Sequence, residues 1–100
     1  MLHTVNKSPF EKSSLESCLR IAKAGSAILL LEDGVYAALQ GTKVAGDVAE
    51  KMKDISFYVL GPDVEARGLS DKPLIDGITS VDYNGFVDLV TEHETSTAWL

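Results

Sequence analysis

The chain has 100 residues with 45% hydrophobic content, enough for one compact domain with a core and too few for two. Fifteen acidic against nine basic residues leave a net charge of −6, and the basic residues are scattered, which works against direct binding to a nucleic-acid backbone. A lone cysteine excludes an internal disulfide, no stretch is long enough to span a membrane, and the start carries neither a basic nor a sustained apolar leader; one domain over 1–100 in a reducing cytoplasm is expected.

The order of elements begins with Met1 to Val5, a short strand candidate, followed by a polar connection through Asn6-Lys7-Ser8-Pro9, where Pro9 ends regular pairing. Ser13-Ser14-Leu15-Glu16 has capping-box spacing, and Leu15, Cys18, Leu19 and Ala22 then recur at helical spacing up to Gly25. The most apolar run follows. Ala27 to Leu31 has no polar partner at alternate positions, so neither face expects water and the segment reads as a central strand. Glu32-Asp33-Gly34 closes it, with Asp33 placed to cap a helix through Val35, Tyr36, Ala38 and Leu39.

After a loop at Gln40 to Lys43, Val44 to Lys53 reads as a short helix with Val44, Val48 and Met52 on one side, weakened by Gly46. Ser56 to Leu60, rich in aromatic and β-branched residues, is a third buried strand, closed by Gly61-Pro62-Asp63 ahead of a short helix from Val64 to Arg67. Lys72 to Gly77 has no readable period. Ile78 to Val81 is a further strand candidate, and from Asp82 a helix runs to about His93 with Phe86, Val87, Leu89 and Val90 as its apolar side and Asp88 and Glu92 as its wet side. The tail Ala98-Trp99-Leu100 is apolar where chain ends are usually polar, so Trp99 and Leu100 are expected to be covered, with another subunit as one candidate cover.

Strands alternating with helices predict an α/β fold, a three-layer α/β/α arrangement around a mostly parallel sheet. Ligands of such sheets meet the carboxyl ends of the strands, where this chain places Glu32, Asp33, Asp63, Glu65 and Asp82. These acids could form a cation site or a surface for a basic partner. The residues favour the plainer reading, helix caps and first-turn acids, and no glycine-rich phosphate fingerprint follows the first strand. Cys18 is the one obvious nucleophile. A persulfide carrier would need a low pKa and exposure, yet Cys18 shares the apolar stripe of its helix, away from the N-terminal dipole, which suits a buried structural cysteine better. His3 and His93 lie far apart in sequence and make a poor ligand set with that cysteine, so neither a metal nor a cofactor is expected; His3 suits a hydrogen-bonded core position and His93 a solvated one.

The segments MLHTVNKSPF, LLLEDGVYAAL, FYVLGPDVEARGL, VDYNGFVDL and AWL, in that order, resemble the DsrH/TusB family of sulfur-relay proteins over nearly the whole chain. The resemblance implies a DsrE-like fold and a cytoplasmic heterohexamer with DsrE/TusD-like and DsrF/TusC-like subunits. It implies transfer of persulfide sulfur to a DsrC/TusE-type carrier, with the principal sulfur-carrying cysteine on the DsrE/TusD subunit. Cys18 in SLESCL would then be an auxiliary sulfur acceptor at most. Together with the NKSPF opening it inclines the reading toward the DsrH branch of sulfur oxidation over the TusB branch, which serves 2-thiolation of the tRNA wobble uridine. A stand-alone persulfide carrier using Cys18 is the alternative, and a homo-oligomer is conceivable when partners are missing.

Overall fold

The computed structural model describes residues 1–100. Five strands, β1 (Leu2–Val5), β2 (Ala27–Leu30), β3 (Ser56–Leu60), β4 (Thr79–Val81) and β5 (Ser96–Trp99), form one sheet in the order β4-β3-β2-β1-β5, with every neighbouring pair parallel. Between them lie α1 (Ser14–Ile21), a 3-10 segment (Glu32–Ala38), α2 (Ala45–Lys51), α3 (Gly61–Ala66) and α4 (Tyr83–Glu92).

Right-handed crossovers account for the layering. The chain steps from β1 to β4 in one direction, so α1, the 3-10 segment, α2 and α3 all fall on one face. It then travels back across the sheet from β4 to β5, which puts α4 on the opposite face. The first face holds the larger core, in which Val5, Ile28, Leu30, Phe57 and Val59 meet Leu15, Cys18, Val35, Val48 and Val64. The second holds only Leu2, Ala27 and Leu29 under Leu89, with Tyr58, Val81 and Phe86 at the margin.

All four residues of β2 are buried, as its unbroken apolar run requires of a strand covered on both faces. Burying each such aliphatic side chain contributes about 1.5–3 kcal/mol before entropy is counted.

Several local expectations are corrected by packing. The segment after β2 is a 3-10 helix, opened by the i to i+3 bond from the Gly34 N–H to the Leu31 carbonyl at 2.8 Å, with Gly34, Val35, Ala37 and Ala38 buried and Glu32 and Asp33 exposed. Asp33 does not cap it, since Leu31 occupies the cap position without a side-chain bond. Helix α1 stops at Ile21, with Ala22 already extended and a turn closed by the Ser26 N–H to the Lys23 carbonyl at 3.0 Å. Its Ser13 makes no capping bond. Helix α3 begins at Gly61, with Pro62 in its first turn, where the missing N–H costs nothing. The unread stretch near Pro73 pairs with the end of the 3-10 segment: Gln40 N–H donates to the Pro73 carbonyl and Ile75 N–H to the Ala38 carbonyl.

The tail departs from the sequence reading in being a regular element: Ser96–Trp99 is the fifth strand, in register with β1. The Trp99 indole packs against the larger core, while the Leu100 side chain remains 79% exposed.

Candidate functional site: the carboxyl edge of the sheet

All five acids singled out from the sequence gather at the carboxyl ends of the strands, but they divide into two groups. Asp33 and Asp63 are tied into a bridge between the 3-10 segment and α3. The Asp63 carboxylate accepts the Glu32 backbone N–H at 2.6 Å, and Arg67 donates from Nε to Asp33 at 2.9 Å and from a terminal nitrogen to the Asp63 carbonyl at 3.4 Å. Glu32 has φ +49, a left-handed conformation that side chains disfavour, and the Asp63 bond holds it there. Arg67 escaped the sequence reading because its partner Asp33 is 34 residues away. One oxygen of each carboxylate is engaged in these bonds.

Glu65 and Asp82 instead line an open groove of about 750 Å³ between α3, β4 and the start of α4. Its wall includes Gly61, Ser70, Leu74 and Ser80. Asp82 caps α4 by accepting the Gly85 N–H at 2.8 Å, the capping role the sequence suggests. Ser70 and Ser80 are the hydroxyls of the groove, and no histidine or cysteine lies in its wall. The groove therefore supplies shape and acidic charge without an activated nucleophile. No three His, Cys, Asp or Glu side chains converge as metal ligands.

Cys18 sits elsewhere. It is a free thiol, fully buried on α1 beside Leu15 and Leu19, and burial alone pushes its pKa up to about 12. Transfer of sulfane sulfur needs a thiolate that a donor can reach, and here both conditions fail. A stand-alone carrier requires an accessible Cys18, and the folded chain does not present one.

His3 and Trp99 form a pair that sequence separation conceals. The Trp99 indole N–H donates to His3 Nδ1 at 3.0 Å across β1 and β5, which requires the neutral imidazole with its proton on Nε2. Burial, and secondarily the N-terminal ammonium, holds the His3 pKa below its ordinary value. His93 is half-buried rather than freely solvated, and its Nδ1–H meets the Leu89 carbonyl at 2.8 Å, satisfying an acceptor in the last turn of α4.

With this geometry in place, the comparisons decide the family. The model of the family described as DsrH-like protein matches residues 7–96. The chain belongs to the DsrH-like family. This DsrH-like chain is 41% identical over 101 residues to Protein TusB of Pectobacterium parmentieri, covering 99% of this chain and 100% of that one. It is 36% identical over 99 residues to Protein TusB of Escherichia coli O81 (strain ED1a), with the same coverage. Among solved structures, the ychN protein from E. coli superposes with a TM-score of 0.82 over 97% of both chains at 20% identity, a likeness of fold alone. No helix of the DsrH-like chain is long and apolar enough to cross a membrane.

Proposed function

We propose that this protein is a cytoplasmic sulfur-relay subunit of the TusB type, one domain that assembles with TusD-like and TusC-like chains and positions a TusE-type carrier. The observation that carries the reading is the pairing of full-length similarity to TusB proteins with a thiol sealed in the core. A chain of this family whose cysteine is sealed from donors is suited to holding other reactants in place, and orientation alone can supply a large share of a transfer rate. The sulfur atom would travel between partner thiols, each step forming one S–S bond as another breaks.

The names of the relatives favour tRNA 2-thiolation over sulfur oxidation, the branch toward which Cys18 and the NKSPF opening inclined the sequence reading. Leu100, exposed beside the Ser14 hydroxyl that donates to its backbone carbonyl at 3.2 Å, is an interface candidate in this assembly, whereas Trp99 is largely used within the chain.

Native mass spectrometry of the chain co-expressed with TusC-type and TusD-type subunits tests the proposal. A stable mixed complex is expected. A monomer indifferent to both partners would overturn it.

A further inference from the structure

The groove at the carboxyl edge is walled in part by a strand with one side of its backbone unpaired. β4 pairs with β3 alone, so the N–H and C=O groups on its other side have no partner within the sheet. Thr79 and Ser80 are exposed and leave that edge open to solvent. Ser80 and Val81 line the groove, whose volume of about 750 Å³ lies in the range of ligand-binding clefts, roughly 300–1,000 Å³. Gly61 brings the start of α3 down onto β4: a Cβ there would stand 2.9 Å from the Ser80 hydroxyl oxygen.

The charges of the wall identify what the edge takes. Glu65 and Asp82 are exposed and both line the groove, and no Lys or Arg does. From Gly61 to Gly85 the chain carries Asp63, Glu65, Asp71, Asp76 and Asp82 against Arg67 and Lys72 alone, and Arg67 is bound to Asp33. A second copy docked through the same groove would set these acids against their own counterparts, and like charges so placed are repelled. The polar side chains of the wall, Glu65, Ser70, Ser80 and Asp82, are all exposed, which gives little hold on a small metabolite. A strand-like segment can instead take backbone bonds from β4 and place Lys or Arg side chains against Glu65 and Asp82.

We propose that the β4 edge and the groove beside it seat an extended, Lys- or Arg-bearing segment of a different chain of the assembly, paired to β4 as a sixth strand. This rests on the subunit reading above and adds the surface, the conformation and the charge of the partner segment.

The test uses the complex co-expressed with TusC-type and TusD-type subunits, with a TusE-type carrier added. With photoreactive p-benzoylphenylalanine in place of the exposed Ser70, irradiation should join this chain to a Lys- or Arg-bearing segment of one of those three proteins, located by mass spectrometry of the digest. Hydrogen exchange at Thr79–Val81 should slow by about tenfold or more relative to the isolated chain. Glu65→Gln with Asp82→Asn removes both charges while Asn keeps the helix cap. The melting temperature should stay near that of the wild type, and binding of the cross-linked partner should weaken by about fivefold at low salt and lose part of its salt dependence. If the wild type forms no mixed complex and takes no carrier, the subunit reading falls and this inference with it. If it assembles and the Ser70 probe joins nothing, a second copy, or a segment without Lys or Arg, the groove proposal is overturned and the subunit reading stands. Unchanged exchange at Thr79–Val81 would refute the sixth strand, and unchanged affinity and salt dependence in the Glu65/Asp82 variant would refute the basic segment.

Discussion

Cys18 and His3 are both buried reactive side chains, and for each the surroundings decide what it can do. Cys18 loses its nucleophilic character because no neighbouring cation or helix N-terminus offsets the cost of burying a thiolate. A maleimide should leave the folded protein unlabelled at neutral pH and label it fully in denaturant; rapid labelling of the native state would show that the core opens. Cys18→Ala should lower stability by about 1 kcal/mol, read from the urea midpoint, because it removes one sulfur from a packed core. The His3–Trp99 bond makes stability depend on pH. Unfolded His3 takes up a proton near its ordinary value of about 6.5, while the folded site resists protonation. The stability present above that value is therefore lost as the pH falls through it. Trp99 is the single tryptophan, so the urea midpoint and its emission can be followed between about pH 7.5 and 5.5. A falling midpoint is expected, and His3→Gln should flatten the fall in that window.

At the scale of elements, the turn leaving β2 is the most constrained part of the chain. A Cβ at Gly34 would collide with the Val5 carbonyl oxygen, which already accepts the Leu31 N–H at 3.1 Å. Gly34→Ala should cost about 2–3 kcal/mol through displacement of β1. Asp63→Ala should cost about 1–2 kcal/mol by releasing the Glu32 N–H. Equal urea midpoints for these variants and the wild type would refute the tight approach and the bridge respectively. The buried strands β2 and β3 were legible in the sequence because continuous apolar runs have one compact solution. Strand β5 was not, since Ser96-Thr97-Ala98-Trp99 lies at an edge and three of its four residues are exposed. The 3-10 segment eluded the reading for a different reason: its geometry is set by the Val5 carbonyl and Asp63, both remote in sequence. The caps divided the same way. Asp82 bonds within its own turn and could be foreseen, whereas Asp33 and Asp63 serve partners 31 to 34 residues away.

At the scale of the molecule, one face of the sheet carries nearly all the packing and the other carries a single helix with an unmatched apolar stripe. The order β4-β3-β2-β1-β5 was not legible from the sequence, since a parallel sheet of five strands could be threaded otherwise; the apolar tail hinted at a missing contact without revealing that β1 supplies it. The central claim is that this chain positions sulfur chemistry performed by its partners. Its most direct test is the rate of sulfur transfer to a TusE-type carrier in a reconstituted complex containing Cys18→Ala. The account predicts the wild-type rate, and loss of transfer from a complex that assembles normally would contradict it.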